Sequence, residues 1–135
     1  MSPADIEERA LKAKALFKMG YNCSQAVFAA CSDLYGLNDK ELALRISAAF
    51  GGGIGRMRKT CGAACGMFML EGLNTGSAIP NDPTGKMKNY SRVQMLANEY
   101  RAKFGSTTCE RLLASGKQPC IEMVAEAVRI VLSHK

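Results

Sequence analysis

The sequence predicts an all-α fold: a compact bundle of about five helices with short connecting turns. Three observations predict it. Apolar residues recur at three- and four-residue spacing in one segment after another, the period of a helix with one buried face. No stretch of useful length alternates apolar and polar residues as a half-buried strand would. Helix start and stop signals bracket each periodic segment. At 135 residues, 47% hydrophobic and 22% charged, the chain has the size of one domain, residues 1–135, and enough apolar surface to bury a core.

The first helix opens with Ser2 as N-cap and Pro3 in the first helical position, where its missing N–H costs nothing. Ile6, Ala10, Ala13 and Phe17 form its apolar stripe, and Gly20 ends it. The second starts at Asn22, with Gln25 placed three residues on as a capping-box partner, and carries Cys23, Val27, Ala30 and Leu34 on one face up to Gly36. Asn38 or Asp39 caps a third helix, expected to bury Leu42, Ile46, Ala49 and Phe50. The glycine run Gly51-Gly52-Gly53-Ile54-Gly55 interrupts it. A fourth helix begins near Thr60 and buries Ala63, Met67 and Leu70. Residues 74–85, rich in Gly, Pro, Asn and Asp, read as a loop. A long helix follows with Tyr90, Val93, Ala97, Tyr100 and Phe104 at helical spacing, ended by Gly105. A short turn at Thr108 to Leu113 leads to a last helix opened by Pro119, whose stripe is Ile121, Val124, Val128 and Val131.

The formal net charge is +6, but the basic residues are spread along the chain apart from one group, Arg56, Arg58 and Lys59. Without Trp, and without aromatics interleaved among cations, nucleic acid is not an expected partner. A solvated, mildly basic face is the first reading, with an acidic partner protein or a small anion as the alternative. No apolar run reaches the ~20 residues of a membrane span, and the first twenty residues lack the unbroken apolar region of a signal peptide. The expectation is a cytoplasmic protein without membrane insertion.

Six cysteines are many for this length. In a reducing compartment they point to redox chemistry or metal binding rather than to a disulfide framework. Cys23 follows Asn22, Cys61 follows Thr60, Cys109 follows Thr108 and Cys120 follows Pro119, so four sit where helices or turns begin. A helix start offers free N–H groups and the positive end of the dipole, and both favour thiolate, which is the nucleophile, the redox species and the metal ligand. Cys31, inside the second helix, reads as core. Cys65, one helical turn after Cys61, reads equally as a resolving thiol, a ligand or core.

Gly51 to Lys59 places glycines and three cations just before Cys61. Its backbone, through Gly51, Gly52, Gly53 and Gly55 together with Arg56, could cradle an anionic cofactor, and its cations would favour Cys61 as thiolate. It is not a P-loop, since no Gly-Lys-Ser/Thr closes it, nor a dinucleotide fingerprint, since no strand precedes it.

Taken together, Asn22-Cys23-Ser24-Gln25-Ala26-Val27, Phe50 to Arg56, Cys61-Gly62-Ala63-Ala64-Cys65-Gly66, Phe104-Gly105-Ser106 with Cys109, and finally Cys120 resemble the C_GCAxxG_C_C family of redox-active proteins, whose signature reads C…CGAxxG…C…C. The resemblance runs from about residue 10 to 130. It implies four signature cysteines, Cys23, Cys61, Cys109 and Cys120, with Cys31 and Cys65 as extras. A similarity to the iron–sulfur part of split-Soret-type cytochromes implies that an iron–sulfur cluster is one cofactor these cysteines could hold.

Three functions compete at this point. The first is redox: either dithiol–disulfide exchange through two of the four cysteines or an iron–sulfur cluster ligated by them. A redox partner protein would follow, and a homodimer is left open. The second is a structural zinc site on Cys23, Cys61, Cys109 and Cys120, with Cys65 as a further candidate ligand; the absence of paired short spacings weighs against it. The third is a partner- or anion-binding module built on Gly51–Lys59, without redox turnover. With no C-x-x-C, neither a thioredoxin-like site nor attached haem is expected. His134, the single histidine, falls in what should be a frayed C-terminus and so is a poor candidate for acid–base catalysis.

Overall fold

A computed structural model describes residues 1–116 and 119–135. Among these the fold is carried by seven α-helices: α1 (Pro3–Lys18), α2 (Cys23–Cys31), α3 (Lys40–Ser47), α4 (Gly62–Thr75), α5 (Pro83–Phe104), α6 (Cys109–Ser115) and α7 (Cys120–Ser133). Short 3-10 turns at Ser32–Tyr35 and Ala48–Phe50 extend α2 and α3. The described residues contain no strand, only an isolated antiparallel bridge between Thr60 and Thr108. The all-α class therefore stands, but the count is seven rather than about five. The stretch expected as a turn at Thr108 to Leu113 is the helix α6. The loop expected over 74–85 is also shorter, because α4 runs on to Thr75 and Asp82 caps α5 by accepting the Gly85 N–H at 3.0 Å.

Local chemistry sets the helix starts. Ser2 Oγ accepts the Asp5 N–H at 3.1 Å, with Pro3 leading α1. At α2 both arms of the capping box form, Gln25 N–H to Asn22 Oδ1 at 2.9 Å and Asn22 N–H to Gln25 Oε1 at 3.1 Å. Asp39, not Asn38, caps α3. At α4 the N-cap is Cys61 itself, while Thr60 lies in the bridge.

Helix α2 is the centre of the molecule. It packs against α1, α3, α4 and α7, and every residue from Ala26 to Cys31 is buried. Small residues allow this. A Cβ at Gly66 would lie 2.7 Å from Val27 Cβ, so α4 approaches α2 at backbone distance. We expect Gly66→Ala to destabilise the fold by about 1–2 kcal/mol, since the cost of overpacking exceeds the helix propensity gained. A urea midpoint at or above that of the parent protein would show that α2 and α4 can move apart freely.

Two expected stripes are corrected. Leu42 and Ile46 of α3 are 44% and 41% exposed, because this short helix packs through Ala43 and Ser47 instead. Tyr90 near the start of α5 is 58% exposed, and burial begins only at Leu96. At the far end of α4, Glu71 is 1% exposed and is held by Arg92 Nε at 3.0 Å and Thr75 Oγ1 at 2.7 Å. Arg92 also donates to the His134 carbonyl, and His134 Nε2 pairs with Glu99 Oε1 at 2.7 Å. The C-terminus expected to fray is thus tied to α5. None of the helices described is long and apolar enough to cross a membrane.

Candidate functional site

The starts of α2, α4, α6 and α7 meet at one place. Cys23, Cys61, Cys109 and Cys120 line a single cavity of about 60 Å³, with Gly52, Gly53, Arg58, Gly62, Leu112, Leu113 and Met123 completing its wall. The backbone brings them there in pairs. A Cβ at Gly62 would lie 3.2 Å from Cys23 Cβ and 3.0 Å from the Phe50 carbonyl, so this glycine lets Cys23 and Cys61 come close. Cys61 N–H donates to the Thr107 carbonyl at 2.7 Å, and Cys109 N–H to the Lys59 carbonyl at 2.6 Å. This clasp around the Thr60–Thr108 bridge fixes Cys61 beside Cys109. A wider cleft of about 290 Å³, lined by Lys103, Phe104, Ser115 and others, adjoins the cavity and shares Leu112 and Met123 with it.

The glycine segment covers the cavity in an unusual conformation. Gly52, Gly53, Ile54, Gly55 and Arg56 all have φ between +56° and +76°, a turn of left-handed coil, and Arg58 follows at +60°. For Ile54, a β-branched residue, this is a true outlier, and each non-glycine residue of this hand costs roughly 1–2 kcal/mol. The loop is nonetheless fully organised. Gly55 N–H donates to the Ala49 carbonyl at 2.7 Å, Arg56 to Gly51 at 3.1 Å, Arg58 to Gly52 at 3.2 Å and Lys59 to Gly53 at 2.9 Å. The Ile54 and Met57 N–H groups are also used internally; of the residues expected to form an anion cradle, Gly55 and Arg56 have their N–H groups committed within the fold. The coil presses Gly53 onto α6, where a Cβ would fall 2.6 Å from Cys109 Cβ, and it sends Arg58 Nη1 to within 3.8 Å of Cys109 Sγ.

Burial and hydrogen bonding divide the thiols sharply. The Cys120 thiol is lowered to about 6 by a hydrogen bond from Cys23, then by the free N–H of its own helix start and by Arg58. Cys23 is pushed well above the usual thiol range, because it gives that hydrogen bond, is buried and faces other thiols. The two titrate as a pair, and the directions of their shifts favour the charge on Cys120. Cys61 is raised, since burial outweighs the help of the Tyr100 hydroxyl at 3.1 Å and of the Ala63 and Ala64 N–H groups, which face its sulfur without forming a full cap bond. The expectation that a helix start favours ionisation at all four thiols, helped at Cys61 by cations, is therefore corrected: the hydrogen bond to Cys120 and then burial raise Cys23, and burial raises Cys61. Arg58 reaches Cys109 Sγ and helps to lower Cys120, while burial governs Cys61.

The remaining cysteines lie off the cavity wall. Cys31 is fully buried in α2, its thiol pushed up to about 12 by desolvation. Cys65 is raised to about 11 by burial and by Cys61, and its thiol donates to the Thr60 carbonyl at 3.7 Å. Tyr100 is the site neighbour that sequence reasoning missed. It reads as one more stripe residue of a long helix, and only packing reveals its hydroxyl on Cys61 and its ring tilted against Phe104, centroids 4.8 Å apart.

A family model described as "Putative redox-active protein (C_GCAxxG_C_C)" matches residues 21–134. The chain belongs to this family. The family's match spans all four cavity cysteines and the left-handed loop. Its label spells Gly-Cys-Ala where this chain reads Cys61-Gly62-Ala63. No curated protein and no solved structure matches the chain.

Proposed function

We propose that the protein is a two-electron thiol carrier in which Cys120 is the attacking thiolate and Cys23 the resolving thiol. The observation that carries this reading is that Cys23 and Cys120, at the starts of α2 and α7, line one cavity, where each shifts the other's ionisation, Cys120 downward and Cys23 upward. Cys120 is the less enclosed of the two and holds the charge at neutral pH. Its thiolate attacks one sulfur of a partner's disulfide, and the partner's other sulfur leaves as thiolate. Cys23 then attacks Cys120 Sγ, its proton passing to that partner thiolate, and the second partner sulfur leaves. The partner gains two electrons and one proton, and the chain is left with a Cys23–Cys120 disulfide. The reverse sequence oxidises a partner dithiol.

The test is to titrate the reduced protein with oxidised glutathione and map the first disulfide by peptide mass spectrometry. Cys23–Cys120 is expected ahead of every other pairing. A first disulfide elsewhere would overturn the assignment.

A second reading rests on the fact that all four signature cysteines, rather than one pair, face the cavity. For a single ion such as zinc they do not fit: among the described residues no three such ligands converge. For an iron–sulfur cluster, whose ligands stand further apart, the four-thiolate donor set does fit. Cys23, Cys61, Cys109 and Cys120 would hold it, and it would supply one-electron transfer. Arg58 would then balance thiolate charge from beside Cys109. Iron and sulfide analysis after anaerobic purification separates the two readings.

A further inference from the structure

The left-handed loop presents three cations beside the cavity. Arg56, Arg58 and Lys59 are all exposed. None has a carboxylate within ion-pair distance among the described residues, whereas Arg9, Lys14 and Arg92 each have one and Arg129 has two. Exposed apolar side chains accompany these charges: Met57, within the same segment, is 61% exposed, and Leu113, on the cavity wall, is 48% exposed. Exposed arginine, methionine and leucine together have the composition of a protein-docking surface. The loop's conformation adds an independent argument. Ile54, Arg56 and Arg58 are held at positive φ against their own preference, at a cost the surrounding hydrogen bonds sustain. A merely solvated basic loop needs no such conformation.

We propose that Arg56 to Lys59 is the docking surface for an acidic face of the redox partner protein, seating the partner's disulfide over Cys120. This rests on the dithiol reading above, and supplies what that reading leaves open, the chemical character of the partner. Opposite charge would steer encounter and orient the disulfide at the cavity mouth, an effect that acts on the association rate and falls with salt.

Three disulfide probes test it on the full-length reduced protein. Two are peptides of equal length, one rich in Glu and one in Lys, each carrying a mixed disulfide with a neutral thiopyridine. The third is neutral dithiodipyridine. At low salt the acidic peptide is expected to react at least about tenfold faster than the basic one, with the advantage collapsing in 0.5 M NaCl as screening shortens to a few ångströms. In Lys59→Glu, the ratio of the acidic-peptide rate to the dithiodipyridine rate should fall several-fold. Equal peptide rates, an advantage that survives salt, or an unchanged ratio in Lys59→Glu would each overturn the docking surface while leaving the dithiol reading in place. No reaction with dithiodipyridine at Cys120 would remove the dithiol reading, and the docking proposal with it.

Discussion

Alkylation of Cys120 by iodoacetamide is expected to reach half its maximal rate near pH 6, the value to which its thiol is lowered, and to be flat from pH 7 upward. An ordinary cysteine, at ~8.5, is only about 3% thiolate at pH 7. The advantage in absolute rate is smaller than that contrast suggests, because a less basic thiolate is roughly tenfold less nucleophilic over such a span. The pH profile is therefore the sharper readout. The sign in a variant follows from the cause. Cys23 favours the charged form of Cys120 by donating to it, so Cys23→Ala should move the midpoint upward, toward the ordinary value. Cys120→Ser should abolish disulfide exchange, a loss of several orders of magnitude. A midpoint above pH 8 in the parent protein, or one unmoved by Cys23→Ala, would remove the account in which Cys23 helps to hold Cys120 ionised.

Oxidation is expected to stabilise the fold. A Cys23–Cys120 disulfide would close a loop of roughly 100 residues, worth about 4–5 kcal/mol in the chain-entropy model. It would join the first residue of α2 to the first residue of α7, two helices already packed together. The same quantity read as a potential makes the folded pair about 100 mV harder to reduce than the same pair in the unfolded chain. The stabilised Cys120 thiolate acts in the opposite sense, favouring the reduced form and offsetting part of that difference. Urea unfolding of the oxidised and reduced protein, at equal pH and with the pairing verified, measures the net effect. Coincident midpoints would mean that bond strain or residual structure cancels the entropic gain.

Much of this architecture was legible in the sequence because its signals are local. Ser2, the Asn22–Gln25 pair and Pro119 mark helix starts by chemistry that acts within three or four residues, and the structure agrees at each. The convergence of Cys23, Cys61, Cys109 and Cys120 was foreshadowed by their position at those starts and by the family signature. What sequence could not supply was depth. Whether a helix dipole or desolvation governs a thiol depends on the elements packed over it, and Cys61 lies under α5, beside Tyr100 from thirty-nine residues away. The buried face of α3 was misread for a related reason. In so short a helix, contact through Ala43 and Ser47 brings the backbone closer than Leu42 or Ile46 would allow. Helix α6 escaped notice because its seven residues bury only Cys109 and Leu112, too few to show a period.

The hand of the loop over the cavity also bears on how the protein meets proteases. An exposed stretch with Arg56, Arg58 and Lys59 is where a trypsin-like enzyme would ordinarily cut. Such enzymes take their substrate as an extended strand, and this backbone coils the opposite way, its amides spent on its own carbonyls. The three scissile bonds are visible to solvent but unreadable to the enzyme until the coil is unwound, and unwinding would also detach Gly53 and Arg58 from Cys109. Susceptibility at these bonds would thus report on whether the thiol cavity is still covered.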